Sequence, residues 1–148
     1  MRKFKFRLQG LENIKGMELD TLRQEYAQQQ AELRKREQEL LSTRDNLNST
    51  YAEFIKHKLG QADPVMLLSL ESYTMVLRDQ LSACQAGVAK QRQELASARE
   101  RLTSKHKEKK VLEKFHERQF TKYSQYVDRE LQKELDETAS NAFQQQQI

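Results

Sequence analysis

The sequence predicts an all-α protein, an antiparallel two-helix coiled-coil hairpin with an overhanging C-terminal helix. Three observations predict it. Hydrophobic residues recur every seven positions in two long rows: Leu19, Tyr26, Leu33, Leu40, Leu47 and Phe54 form the first, and Leu67, Thr74, Leu81, Val88, Leu95 and Leu102 the second. The only proline, Pro64, lies between the rows, just after Gly60 and Asp63. Turn residues are otherwise scarce, with four glycines in 148 residues. A seven-residue period belongs to helices that wind around each other, because it keeps one stripe of each helix facing its partner. Winding surfaces of this kind act by contact rather than by bond chemistry.

Composition agrees. Only 36% of the residues are hydrophobic and 32% are charged, against roughly 45–50% apolar in a globular domain. That supply cannot fill a thick core. It suffices for a narrow seam, which needs about two apolar positions in seven. The whole chain, 1–148, reads as a single coiled-coil domain.

The first helix is expected from about residue 4 to about residue 58, with the turn over about 59–63. Gly10 and Gly16 weaken its start, each by roughly 1 kcal/mol relative to alanine. From Leu19 onward a second row interleaves with the first: Leu22, Gln29, Arg36, Thr43 and Thr50. Taking the first row as a and the second as d gives a heptad register whose d positions are poor in apolar residues. This weakens the seam and points to register control or partial exposure. In the turn, Asp63 can accept backbone N–H bonds as an N-cap, and Pro64 suits the first helical position.

The second helix is expected from residue 64 to about residue 140, followed by a frayed tail over about 141–148 that includes Gln144 to Gln147. Its d row is Leu70, Leu77, Cys84, Gln91 and Ala98. Past Leu102 the register is expected to break, because Lys105 and Lys109 occupy the next positions. Apolar residues resume out of phase at Val111, Leu112, Phe115 and Phe120. A local change in winding should follow.

Antiparallel packing sets a residues beside d residues. Phe54 then meets Leu70, Thr50 meets Thr74, Leu47 meets Leu77, and Leu40 meets Cys84. Further on, Tyr26 meets Ala98, Leu22 meets Leu102, and Phe4 reaches the neighbourhood of Phe120. Leu22→Cys and Leu102→Cys together should cross-link. At about 1.5 Å per residue the helices span on the order of 80 and 115 Å, so the second outruns the first beyond about residue 121. That overhang carries Tyr123, Tyr126, Val127, Leu131, Leu135 and Phe143. An exposed apolar stripe marks a partner site or self-association.

The formal net charge is +4. Basic residues gather at Arg2, Lys3, Lys5 and Arg7, and again from Arg99 to Lys122, where Glu100, Glu108, Glu113 and Glu117 dilute them. A mixed face of this kind is ordinarily a solvated helix surface laced with i,i+4 pairs. The sharper reading is a docking surface for an acidic protein or for phosphates. Nucleic-acid binding would need a coherent positive face, which the glutamates interrupt, and Phe115, Phe120, Tyr123 and Tyr126 follow helical spacing rather than a stacking platform.

Other chemistry is poorly supplied. Cys84 is the only cysteine, which rules out an internal disulfide, and its seam position makes it a small hydrophobe. The stretch Gly10-Leu11-Glu12-Asn13-Ile14-Lys15-Gly16 has the wrong spacing for a phosphate loop, and Met17 stands where lysine is required. Glu113 and His116 have the spacing of one half of a di-metal carboxylate motif, but no second half exists. No metal or other cofactor is expected. A nucleophile, a base and an orienting group cannot converge on a two-helix rod without a pocket, so the chain is not expected to be an enzyme. No apolar run approaches the roughly 18 residues of a membrane span, and no apolar signal core follows the basic start, so a cytoplasmic protein is expected.

Short motifs carry a family likeness. The opening Phe4-Lys5-Phe6-Arg7-Leu8 followed by Leu11 resembles the start of the FliJ proteins of bacterial flagellar type III export. So do Glu108-Lys109-Lys110-Val111-Leu112-Glu113-Lys114 and the ending from Glu130 and Lys133 through Leu135-Asp136-Glu137 to Phe143. Stalk proteins of virulence secretion systems look similar. The resemblance implies an antiparallel two-helix coiled coil that looks like the shaft of rotary ATP synthases. It implies a shaft whose paired termini enter the centre of a hexameric export ATPase, promoting ring assembly and hydrolysis on the ring. It also implies contact with the cytoplasmic domain of the membrane export gate and with export chaperones, and hence a peripheral place at the inner membrane through partners alone.

On that resemblance, Phe4, Phe6, Lys110, Lys114, Phe120, Tyr123, Tyr126, Val127 and Leu131 form the ATPase-facing end. Tyr51, Tyr73 and Leu77 are the gate-facing positions; Leu77 also falls on the d row, whereas Tyr51 and Tyr73 lie off both rows. The alternatives are a self-associating structural coiled coil and a nucleic-acid-binding rod. The first would show concentration-dependent oligomers, the second steep salt dependence.

Overall fold

The fold was taken from a computed structural model, which describes residues 3–61 and 63–146, with side chains through Phe143. Ala62 of the expected turn, Arg2 of the basic start and residues 147 and 148 of the expected tail lie outside the described residues. Two long helices, α1 (Gln9–Leu59) and α2 (Pro64–Gln146), make up almost all of the described chain and pack together. No described residue lies in a strand.

The helix boundaries follow from local chemistry. Asp63 caps α2 as expected: its Oδ1 accepts from Val65 N at 3.0 Å, and its carbonyl accepts from Met66 N and Leu67 N. Pro64 is the first residue of α2 and needs no donor there. Lys56, His57 and Lys58 lie in the last turn of α1, where cations favour the exposed carbonyls. The start of α1 differs from expectation. It begins at Gln9 rather than near residue 4, with Gln9 N donating to Phe6 O and Glu12 N to Leu8 O. Residues 3–8 instead alternate: Phe4, Phe6 and Leu8 are half-buried, while Lys3, Lys5 and Arg7 are exposed. That is a period of two, not of 3.6. At the far end α2 is helical to Gln146.

The chain divides into two compact units, a loop unit of Thr21–Thr103 and a terminal unit of Met1–Asp20 with Ser104–Ile148. In the loop unit, α1 and α2 run antiparallel along a seam of heptad positions. Leu47, Leu77, Val88 and Ala98 are buried, and Thr50, Thr74 and Gln91 are buried with them. The threonines satisfy their hydroxyls within their own helices: Thr50 donates to Asn46 O at 2.8 Å and Thr74 to Leu70 O at 2.7 Å. Gln91 is bonded across the seam, where its Nε2 donates to Gln29 O at 3.3 Å and also to the Gln29 side-chain oxygen. Cys84 faces Thr43 at 4.0 Å. Arg36 Nη1 lies 3.3 Å from where a Cβ on Gly87 would stand, so the missing side chain makes room for the guanidinium. Arg92–Glu37 at 2.9 Å and Arg101–Glu25 at 3.6 Å flank the seam.

The terminal unit corrects the expected break in register. Its inward positions on α2 are Lys105, Lys109, Leu112, His116, Gln119 and Tyr123, all half-buried. These continue both rows at seven-residue spacing without interruption. Val111, Phe115 and Phe120, expected to resume the seam, are exposed instead. A lysine can occupy a seam position because its methylene stem covers apolar surface while its amine reaches outward. Here the amines enter a network: Lys15 Nζ lies 3.0 Å from Glu108 Oε2, and Lys105 Nζ lies 3.2 Å from the same oxygen and 3.7 Å from Glu18. Lys109 reaches Glu113 at 3.7 Å. The Lys15 hydrogen bond holds the Glu108 carboxyl below its usual range, with Lys105 next, and the Glu108 bond raises Lys15 in turn. Leu19 is the one wholly apolar anchor of this unit, at 1% exposed.

Candidate functional site

Two sets of residues were marked by sequence, and the structure treats them differently. In the terminal unit the set converges. Phe4 packs against Phe120 and Tyr123 with ring centroids 5.4 Å apart in each case, as the antiparallel register required of Phe4 and Phe120. Phe6 lies 6.0 Å from Phe115. His116 stands between the two phenyl rings, stacked on Phe6 at 4.3 Å and on Phe4 at 5.7 Å. Its Nδ1 lies 3.1 Å from Glu12 Oε2. A shallow cleft of about 480 Å³ is lined by residues Phe4 through Leu8 together with Phe115 and Gln119.

The remaining members lie elsewhere along α2. Lys110 and Lys114 are exposed and, among the described residues, enter no ion pair. Tyr126 and Leu131 are exposed and Val127 is half-buried. From Leu131 to Phe143 every side chain of α2 is exposed, including Leu135 and Phe143. Along its length α2 therefore exposes unpaired cations at Lys110 and Lys114, aromatic side chains at Phe120 and Tyr126, and the aliphatic Leu131.

In the loop unit the three marked residues separate. Leu77 is 3% exposed and packs the seam, so it offers a partner almost no surface. Its d position decides this, because the d row faces the other helix. Tyr51 is half-buried; its hydroxyl accepts from Arg78, whose guanidinium lies 5.2 Å from the Tyr51 ring centroid. Tyr73 is half exposed, at 50%. Other exposed apolar residues of this unit include Met75 and Val76 on α2, and Ile55, Leu59, Val65, Met66 and Leu68 near the turn. Their signal was available, since all fall off the seam rows.

His116 and Glu12 were missed as an interacting pair. The sequence spacing marks His116 only as half of a metal motif. Extending the a row from Leu102 through Lys109 to residue 116 would have placed it inward. Among the described residues no group of three or more His, Cys, Asp or Glu side chains could hold a metal ion. Nor is any helix there long and apolar enough to cross a membrane.

A family model described as Flagellar FliJ protein matches residues 4–147. No curated protein and no solved structure matches the chain. The family match spans the aromatic start, both helices and the charged stretch of α2, and the packed pair of long helices fits the coiled coil that the likeness implied. The chain therefore belongs to the flagellar FliJ family, a family of flagellar protein export.

Proposed function

We propose that this protein is a non-catalytic stalk of the flagellar type III export apparatus. Its terminal unit binds the centre of the hexameric export ATPase, promotes ring assembly and stimulates hydrolysis, which takes place on the ring. Its loop unit contacts the cytoplasmic domain of the export gate, and the chain also receives export chaperones. These contacts hold it peripherally at the inner membrane. The observation that carries the reading is the exposed length of α2 in the terminal unit, along which Lys110 and Lys114 stand unpaired and Phe120, Tyr126 and Leu131 are exposed. The exposed run of α2 from Leu131 to Phe143 supports an overhang that enters the bore of a ring. Each such apolar side chain contributes about 1.5–3 kcal/mol if a partner buries it fully.

The test mixes the purified chain with the export ATPase of the same organism. Stimulated hydrolysis and ring formation are expected. Lys110→Glu with Lys114→Glu should weaken both while leaving helicity unchanged, because neither residue holds the fold together. At the gate-facing end, Tyr73→Ala should weaken binding to the gate domain more than Leu77→Ala does at matched helicity. If the chain instead forms concentration-dependent oligomers and leaves the ATPase unaffected, the exposed apolar run serves self-association.

A further inference from the structure

One ionisable ring in the terminal unit is held inside an aromatic clasp. His116 is nearly parallel to Phe6, at 4° and 4.3 Å, and close to parallel to Phe4, at 16° and 5.7 Å. Both phenyl rings belong to residues 3–8, which precede α1, and the side chain of His116 is one-third exposed while that of Glu12 is 17% exposed. The N-terminal segment thus meets α2 chiefly through its two rings: Phe4 on His116, Phe120 and Tyr123, and Phe6 on Phe115 and His116.

We propose that His116 is a proton-operated latch for residues 3–8: an imidazolium closes the clasp around itself, and a neutral imidazole loosens it. Histidine is the side chain whose charge ordinarily changes between about pH 5 and 8. The imidazolium gains on two sides at once. It donates a charge-assisted hydrogen bond to Glu12, which is stronger than the neutral one. It also presents positive charge to two phenyl faces, a cation–π arrangement open only to the charged form. The other charged groups around it are few. On the segment, Lys3, Lys5 and Arg7 are exposed, so water and salt screen their repulsion. On α2, Glu113 lies one turn earlier and is engaged by Lys109, and Tyr123 lies two turns later against Phe4. Glu12 is the charged contact from α1. Opening the latch frees two phenyl rings and uncovers the α2 surface beneath them in one step. Only this last consequence rests on the partner reading given above; the latch itself does not.

The experiment uses the full chain alone, so its failure is distinct from failure of the partner reading. Ring resonances of Phe4, Phe6 and His116 are followed by NMR from about pH 8 to about pH 5.5. The Phe4 and Phe6 signals should shift together with those of His116 as the pH falls, toward the docked segment at the acid end. His116→Gln should remove that pH dependence. Glu12→Gln, which removes the charged acceptor 3.1 Å from His116 Nδ1, should weaken the pH dependence of docking, and provides a second variant if the first does not fold. Phe4 and Phe6 signals that stay fixed while His116 titrates would overturn the proposal, as would an unchanged dependence in His116→Gln.

Discussion

In the loop unit the seven-residue rows carry the buried Leu47, Leu77, Val88 and Ala98 beside half-buried leucines such as Leu33, Leu40, Leu81 and Leu95. In the terminal unit the same rows carry the buried Leu19 and the half-buried Leu112, but also Lys105, Lys109, His116 and Gln119, each only half-buried. Spacing determines which positions face the other helix. Side-chain type determines what holds them there. The loop unit rests on apolar burial and on threonines that bond their own helices. The terminal unit rests on lysine stems, an ion network through Glu108, and aromatic rings brought in by residues 3–8. Apolar burial is indifferent to moderate salt, whereas partly exposed ion pairs weaken as salt screens them. The terminal unit is therefore the softer of the two, and it is also where the unpaired cations and aromatic edges gather.

The contrast can be broken most forcefully at Leu77. Leu77→Ala should cost about 2–5 kcal/mol, as expected of a fully buried leucine, read from urea unfolding followed by helicity. Leu112→Ala, at the half-buried equivalent in the terminal unit, should cost clearly less. Equal losses would mean the two seams are not different in kind. Next in size is Phe6→Ala, which removes the ring stacked on His116. It should release residues 3–8 at a local cost of about 1–2 kcal/mol, since the ring is only half-buried. Proteolysis at Lys3, Lys5 or Arg7 should accelerate while the loop unit keeps its urea midpoint.

A smaller effect has the opposite sign. Gly16 sits in α1 of the terminal unit, and a Cβ built there meets nothing within 4 Å. Gly16→Ala should stabilise that unit by about 0.5–1 kcal/mol, because alanine restricts the unfolded chain and suits a helix interior. Thermal unfolding checks it.

The smallest effect is the pH dependence of the ion network. Glu108 is held below its usual value of 4.5, so its contribution is complete above that value and is lost as pH falls through the lowered one. Lys15 is raised above 10.5, so its contribution is complete below 10.5 and is lost as pH rises through the raised value. Urea midpoints should be flat between these limits as far as this network is concerned. Lys15→Met should remove the alkaline loss and, by freeing Glu108 of its main partner, shrink the acid one.

These tests bear on how much of the molecule could be read in advance. The two helices, the turn and the antiparallel register were legible, because Asp63 and Pro64 punctuate the chain and the apolar rows are unambiguous up to Leu102. The pairing of Phe4 with Phe120 followed from the register alone. The terminal seam was not legible from hydrophobicity, since lysine counts as polar although most of its length is methylene. Counting positions rather than apolar residues would have carried the rows through Lys109 to His116. The true start of α1 was obscured because Phe4, Leu8 and Leu11 fit a helical spacing while Phe4, Phe6 and Leu8 fit an alternating one. The structure takes the second pattern. Among the residues marked at the terminal end, the approach of Phe4 to Phe120 was legible and the contacts of His116 with Phe4, Phe6 and Glu12 were not. At the other end Leu77 was claimed by two readings, and it lies buried on the d row.

Residue-resolved amide hydrogen exchange in the full chain tests the central contrast most directly. Amides around Leu77 and Val88 should exchange at least about tenfold more slowly, relative to their intrinsic rates, than those around Leu112 and His116, and added salt should widen the gap. Equal protection in the two units, or slower exchange around His116, would contradict the account.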